Sequence, residues 1–229
     1  MTSARRAAIT AGVLFIIGTA AGVLSVAGAA DGPGYLHDVA ASGTQVIIAA
    51  LFQLVTASAY VGVAIALHPV LRRYGPTAAA GFLGFRIAAG VLNMLGAIIL
   101  LLLLDLSIRF VGTGAPDASY FETVGGLLRV GRDGLNHVAM MLTLTAGDAM
   151  YYWLLYRARL VPRWLSSWGF AGLAFAMAAS LLVMGRLIEV VTPVYLSLMA
   201  VLGLQQTVLA MWLIVRGLDT DRHAEEITV

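Results

Sequence analysis

One stretch, Ala78–Leu104, constrains the chain more than any other. It reads AAAGFLGFRIAAGVLNMLGAIILLLLL and carries a single charge, Arg86. At about 1.5 Å per residue it extends roughly 40 Å as a helix, more than the ~30 Å hydrocarbon core of a bilayer, so it crosses with tilt. An arginine inside such a segment costs roughly 2.5–3.5 kcal/mol on insertion scales, so it needs a partner or a wet cavity. The rest of the chain can be searched for that partner.

Of the 229 residues, 60% are apolar and only 11% charged, and the mean hydropathy is +0.91. Soluble domains carry about 25% charged residues, so this balance indicates an all-α, polytopic integral membrane protein. There is no cysteine, and every one of the 14 basic residues is arginine. Thiolate nucleophiles, disulfides, Cys-ligated metals, lysine Schiff bases and a P-loop lysine are therefore excluded. The net charge of +2 follows from arginines at loop positions and carries no nucleic-acid footprint.

Six transmembrane helices are expected, at about residues 7–30, 43–71, 78–104, 135–156, 164–187 and 193–215. The apolar run after Arg5 and Arg6 competes with a signal peptide, because VAGAA (26–30) resembles a cleavage site. Its length exceeds the about 7–15 residues of a signal-peptide core, which favours a retained helix. Gly18 and Gly22 form a small-residue pair suited to close helix approach. Tyr74-Gly75-Pro76 is a tight turn, which makes the second and third helices antiparallel neighbours. The longest connection contains an amphipathic segment at about 116–131, either lying at the interface or beginning the fourth helix. A polar tail fills 218–229.

With the N-terminus inside, the inner segments hold Arg5, Arg6, Arg72, Arg73, Arg157, Arg159, Arg163, Arg216 and Arg222. The outer segments hold Arg109, Arg129, Arg132 and Arg186. Nine against four is a positive-inside bias, which places both termini in the cytoplasm.

Depth can be counted from those inner arginines. Arg86, Asp148, Tyr60 and Gln206 each lie roughly 9–13 residues, or about 13–20 Å, from the arginines at their own helix ends. The expected core feature is an Arg86–Asp148 ion pair flanked by Tyr60 and by Gln205 or Gln206. Asn93 lies two turns beyond Arg86, and Thr145, Met141 and His137 precede Asp148 at helical spacing, with Asn136 and Asp133 further out. Such a polar face suits a water-filled cleft open to one side. The same pair also serves as a packing and registry device with no ligand.

His37, Asp133 and His137 are the weak metal candidates, with Glu189 near them, but no HxxxH or HExxH spacing is present. Histidines satisfied by water at the interface are the expectation, and no cofactor is implied. Three functional classes remain. The first is a protein that binds or transports a small molecule or lipid through the layer around Arg86 and Asp148. The second is an intramembrane metal-dependent hydrolase acting at the outer mouth. The third is a non-catalytic partner subunit, or a homo-oligomer, using the glycine faces of the first and fifth helices.

Six stretches resemble a bacterial family of multi-span membrane proteins catalogued as domain of unknown function 4386. They are RRAAITAGVLFIIGTAAGVLS (5–25), HPVLRRYGP (68–76), GFRIAAGVLNMLG (84–96), APDASYFETVGGLLRVGRDG (115–134), YYWLLYRARLVPRWLSSWG (151–169) and LQQTVLAMWLIVRG (204–217). LYRARLVPRWLS is the most specific. The resemblance covers nearly the whole chain and implies a multi-span helical fold in the bacterial inner membrane. It brings no established activity, so it assigns no catalytic residue.

Overall fold

The computed structural model describes residues 2–113, 118–190 and 192–220, and these residues form helices and turns without a strand. The helices are α1 (Ser3–Leu24), α2 (Tyr35–Ala41), α3 (Gly43–Leu71), α4 (Pro76–Gly112), α5 (Ala118–Asp133), α6 (Met140–Arg157), α7 (Arg163–Met184) and α8 (Pro193–Val215). Six helical stretches are long and apolar enough to cross a membrane: α1, α3, α4, the continuous run Ala118–Arg157, α7 and α8. Residues 116–117 of the expected amphipathic segment and 221–229 of the polar tail, Arg222 included, lie outside the described residues.

The spanning helices touch in chain order, α1 on α3, α3 on α4, α4 on α6, α6 on α7 and α7 on α8, and α8 returns to pack on α1. The result is a closed ring of antiparallel neighbours. Short connections enforce the α3–α4, α6–α7 and α7–α8 pairs, since two helices joined by a few residues can only run back along one another. The start of α1 and the end of α8 sit at one end of the ring, here the near end. The opposite, distal end carries α2 and the junction of α4 with α5.

Helix boundaries depart from the hydropathy pattern where local chemistry intervenes. The first helix stops at Leu24 rather than at Ala30. Ser25 turns its hydroxyl back onto the Gly22 carbonyl at 2.8 Å, and Gly28–Ala30 forms a separate 3₁₀ turn. The third spanning helix overruns Leu104 by two turns, because Asp105 and Arg109 pair at 2.8 Å one turn apart. At about 1.5 Å per residue α4 reaches roughly 55 Å, so its distal turns stand beyond the hydrocarbon core. There α5 packs against it, so the amphipathic segment is one arm of a helical hairpin. A π-helical turn, Gly134–Ala139, then joins α5 to α6 without a break.

Two clusters of buried side chains follow from this layout. One runs along the ring and includes Phe15, Val63, Leu67, Phe82, Tyr151, Tyr152, Leu165 and Leu209. The other, at the distal end, gathers Ala30, Tyr35, Leu36, Val39, Leu100, Leu103 and Phe110 beneath α2. Glycines set the closest approaches within the ring. Gly18 accommodates the ring of Tyr60, Gly169 that of Tyr152, and Gly172 the Leu202 side chain. The glycines of the first and fifth spanning helices thus take part in packing within the chain.

A fastening between the two ends of the chain completes the ring. Arg5 donates from Nη1 to the Leu213 carbonyl at 3.1 Å, and from Nη2 to Ile214 at 2.6 Å and Val215 at 3.1 Å. These are the last carbonyls of α8, which have no partner within their own helix and form its negative pole. Gly217 makes room for the guanidinium with a φ of 80°, in the left-handed region.

Candidate functional site

Arg86 of α4 and Asp148 of α6 meet in the ring wall. Nε donates to Oδ1 at 2.7 Å and Nη2 to Oδ2 at 2.8 Å, and neither side chain is exposed. This two-point geometry is the strongest form of an arginine–carboxylate pair. Three aromatic rings surround the guanidinium: Tyr60 at 5.2 Å, Phe15 at 5.4 Å and Phe82 at 5.4 Å from Cζ. Electron-rich ring faces stabilise a desolvated cation. They are the environment of Nη1, which is buried and has no hydrogen-bond partner among the described residues. Tyr151 stacks on Phe82 with centroids 4.8 Å apart, and its own buried hydroxyl is likewise without a partner.

Above this pair, toward the distal end, lies a cavity of about 380 Å³ inside the ring. Tyr60, Met141 and Leu144 line its deep end, whereas Arg86 and Asp148 are not part of its wall. The cavity and the ion pair are therefore separate compartments divided by the Tyr60 ring. Polar groups reach the cavity from several helices: Thr19, Gln53, Thr56, Asn93, Asn136, His137, Tyr195 and Gln206. Asp31, Arg132 and Asp133 lie at its distal margin. Apolar wall comes from Gly22, Val23, Met140, Met199, Leu202 and Gly203.

The carboxamides are ordered by one another. Gln53 Nε2 donates toward the Asn93 carbonyl at 3.0 Å, Asn93 Oδ1 at 2.9 Å and Asn136 Oδ1 at 2.8 Å. One amide thereby ties α3, α4 and the π turn together. The π turn places Asn136 against α4 at Gly96, where a Cβ would collide with the carboxamide. His137 Nδ1 lies 2.7 Å from the Tyr195 hydroxyl, so α8 is linked to the same turn. π-helical turns recur at functional sites because they re-aim side chains without ending the helix.

The sequence-derived candidates thus divide. Arg86 and Asp148 pair, Tyr60 covers them, Asn93 lines the cavity beyond them, and Gln206 lines the cavity rather than flanking the pair. Gln205 turns away, accepting from the Tyr152 hydroxyl at 2.6 Å and donating to the Leu165 carbonyl at 3.0 Å. His37 is exposed on α2 with its ring against Phe110, while His137 engages Tyr195. No group of three metal-ligating side chains converges among the described residues. Phe15 carried no distinguishing signal, since a phenylalanine in an apolar run does not reveal which face it occupies, whereas Gln53 is marked as a polar group in a span although its partners are not legible.

Six helices long and apolar enough to cross a membrane, packed in a ring around a buried ion pair and a cavity, define a multi-pass membrane protein. A family profile described as Domain of unknown function (DUF4386) matches residues 10–217, and the chain belongs to that family. Neither a curated protein nor a solved structure matches it.

Proposed function

We propose that this protein binds a small amphiphile in the distal cavity, and that it holds this ligand rather than passing it through the membrane. The carrying observation is the cavity itself, about 380 Å³ with carboxamides from α3, α4 and α8 in its wall. That volume falls in the ~300–1,000 Å³ range of small-molecule sites, and a mainly apolar wall with a few fixed polar groups is their usual construction. The floor argues for holding. Beneath Tyr60 the ring is filled by Phe15, Phe82 and the Arg86–Asp148 pair, leaving no continuation toward the near end. Amides and hydroxyls from Gln53, Thr56, Asn93, Asn136 and Gln206 outnumber the charged groups Asp31, Arg132 and Asp133, which are of both signs and lie at the distal margin, and this balance favours a ligand head that is itself neutral and hydrogen-bonding. The positive-inside distribution of arginines supports a reading with the termini in the cytoplasm and the cavity on the outer side of a bacterial plasma membrane.

Native mass spectrometry of the protein extracted in mild detergent tests this. The expected result is a one-to-one adduct that disappears in Gln206→Trp, where the added bulk fills the cavity. An adduct equally abundant in that variant, or no adduct in the parent, rejects the assignment.

A further inference from the structure

The geometry points to a lateral portal between α1 and α8, through which a bilayer-resident amphiphile enters the cavity from the leaflet at the distal end. This rests on the cavity being a binding site, and it names the source and route of the ligand.

α1 and α8 pack together as antiparallel neighbours in a fixed register. At Gly12 the helices are in tight contact: a Cβ there would meet the Ala210 carbonyl oxygen and the Ile214 side chain. Seven residues along α1 is Thr19, and seven residues back along α8 is Gly203. Seven residues are close to two full helical turns, so these positions lie on the same faces about 10 Å further toward the distal end. If the helices stayed parallel, Thr19 and Gly203 would pack together as Gly12 and Ala210 do. They do not. Both line the cavity, and a Cβ added to Gly203 meets nothing within 4 Å among the described residues outside its own helix. The two helices are fastened at the near end by Arg5, and the open space at Gly203 marks where the contact between them ends.

The gap borders the bilayer. Ile16 and Val23 share a helical stripe with Thr19 and are 43% and 69% exposed, and Leu204 beside Gly203 is 59% exposed. Val23 also lines the cavity, so one apolar surface continues from the lipid-facing side into the compartment. Acyl chains suit such a surface. Met199, on the cavity wall of α8, has the flexibility to accommodate them.

The chain's lack of cysteine makes a direct test available. Thr19→Cys/Gly203→Cys is reconstituted in phosphatidylcholine vesicles and bridged with a flexible bismaleimide, the bridge being confirmed by intact mass. The probe is a monoacylglycerol carrying a diazirine in its acyl chain. Added after bridging, it should fail to label the α3 and α8 cavity peptides. Added before bridging, it should remain and label them after transfer to probe-free vesicles. Gly203→Phe provides a second route, since the open space accepts the ring, and it should slow labelling without lowering the melting temperature. Equal labelling of bridged and unbridged protein overturns the portal and leaves the cavity assignment standing. Absence of cavity labelling in the unbridged protein rejects the cavity assignment and the portal together.

Discussion

At the scale of single residues, Arg86 and Asp148 are the groups whose removal costs most. Truncating one partner leaves an uncompensated buried charge, which costs about 3–5 kcal/mol, whereas replacing both with apolar residues is often neutral. Arg86→Leu and Asp148→Leu should each lower the thermal midpoint strongly, and the double variant should recover much of that loss. A double-variant loss equal to the sum of the single losses means that the two residues are not coupled. Tyr151 provides the converse case. Its hydroxyl is buried without a partner while its ring stacks on Phe82. Tyr151→Phe should therefore stabilise the fold by about 1 kcal/mol, in line with the ~1–3 kcal/mol cost of a buried unsatisfied group. A lower midpoint would show that the hydroxyl is satisfied in the membrane. The Arg86–Asp148 relation is legible in sequence because a charge in hydrocarbon must be answered, and depth can be counted from the flanking arginines. Phe15 and Phe82 answer the same cation through their ring faces, and nothing in an apolar run marks them out for that task.

At the scale of elements, the π turn between α5 and α6 determines the roof of the compartment. It delivers Asn136 to Gln53 and His137 to Tyr195. Gly96 is the position on α4 that lets Asn136 approach, so Gly96→Ala should displace the carboxamide and destabilise the protein by about 1–3 kcal/mol, as overpacking does. The adduct expected in native mass spectra should weaken in the same variant, because the amide cluster is one part of the cavity wall. An unchanged midpoint would mean that the turn relaxes around the methyl group. The extension of α4 past Leu104 was hidden by Asp105 and Arg109, which interrupt the hydropathy pattern although they support the helix as an ion pair. The continuity of α5 with α6 is one of the two readings the sequence allows. The glycines of GRDG at 131–134 leave both readings of the amphipathic segment open in the sequence, and the π turn that starts at Gly134 carries it into the fourth spanning helix.

At the scale of the whole molecule, the relevant interaction is the one that closes the ring. Arg5 reaches three carbonyls at the end of α8, and a cation at a partly buried helix C-terminus contributes up to about 2 kcal/mol. Arg5→Ala should lower the midpoint by that order and should loosen α1 against α8, which hydrogen exchange at Ala210–Val215 can detect. Unaltered exchange there would mean that apolar contacts alone hold the seam. Sequence offers little warning of this closure, because backbone carbonyls are identical everywhere and only the fold decides which arginine meets them. A reporter joined to either terminus should be active on the cytoplasmic side, and activity on the other side would reverse the orientation of the cavity. Closure also has a genetic consequence. A ring whose first and last helices touch has no structurally privileged beginning, so the starting point of its gene is a matter of history. Linking the present termini and opening the chain in the turn at Tyr74-Gly75, on the same side of the membrane, should yield a circular permutant with the same helix neighbours and the same compartment.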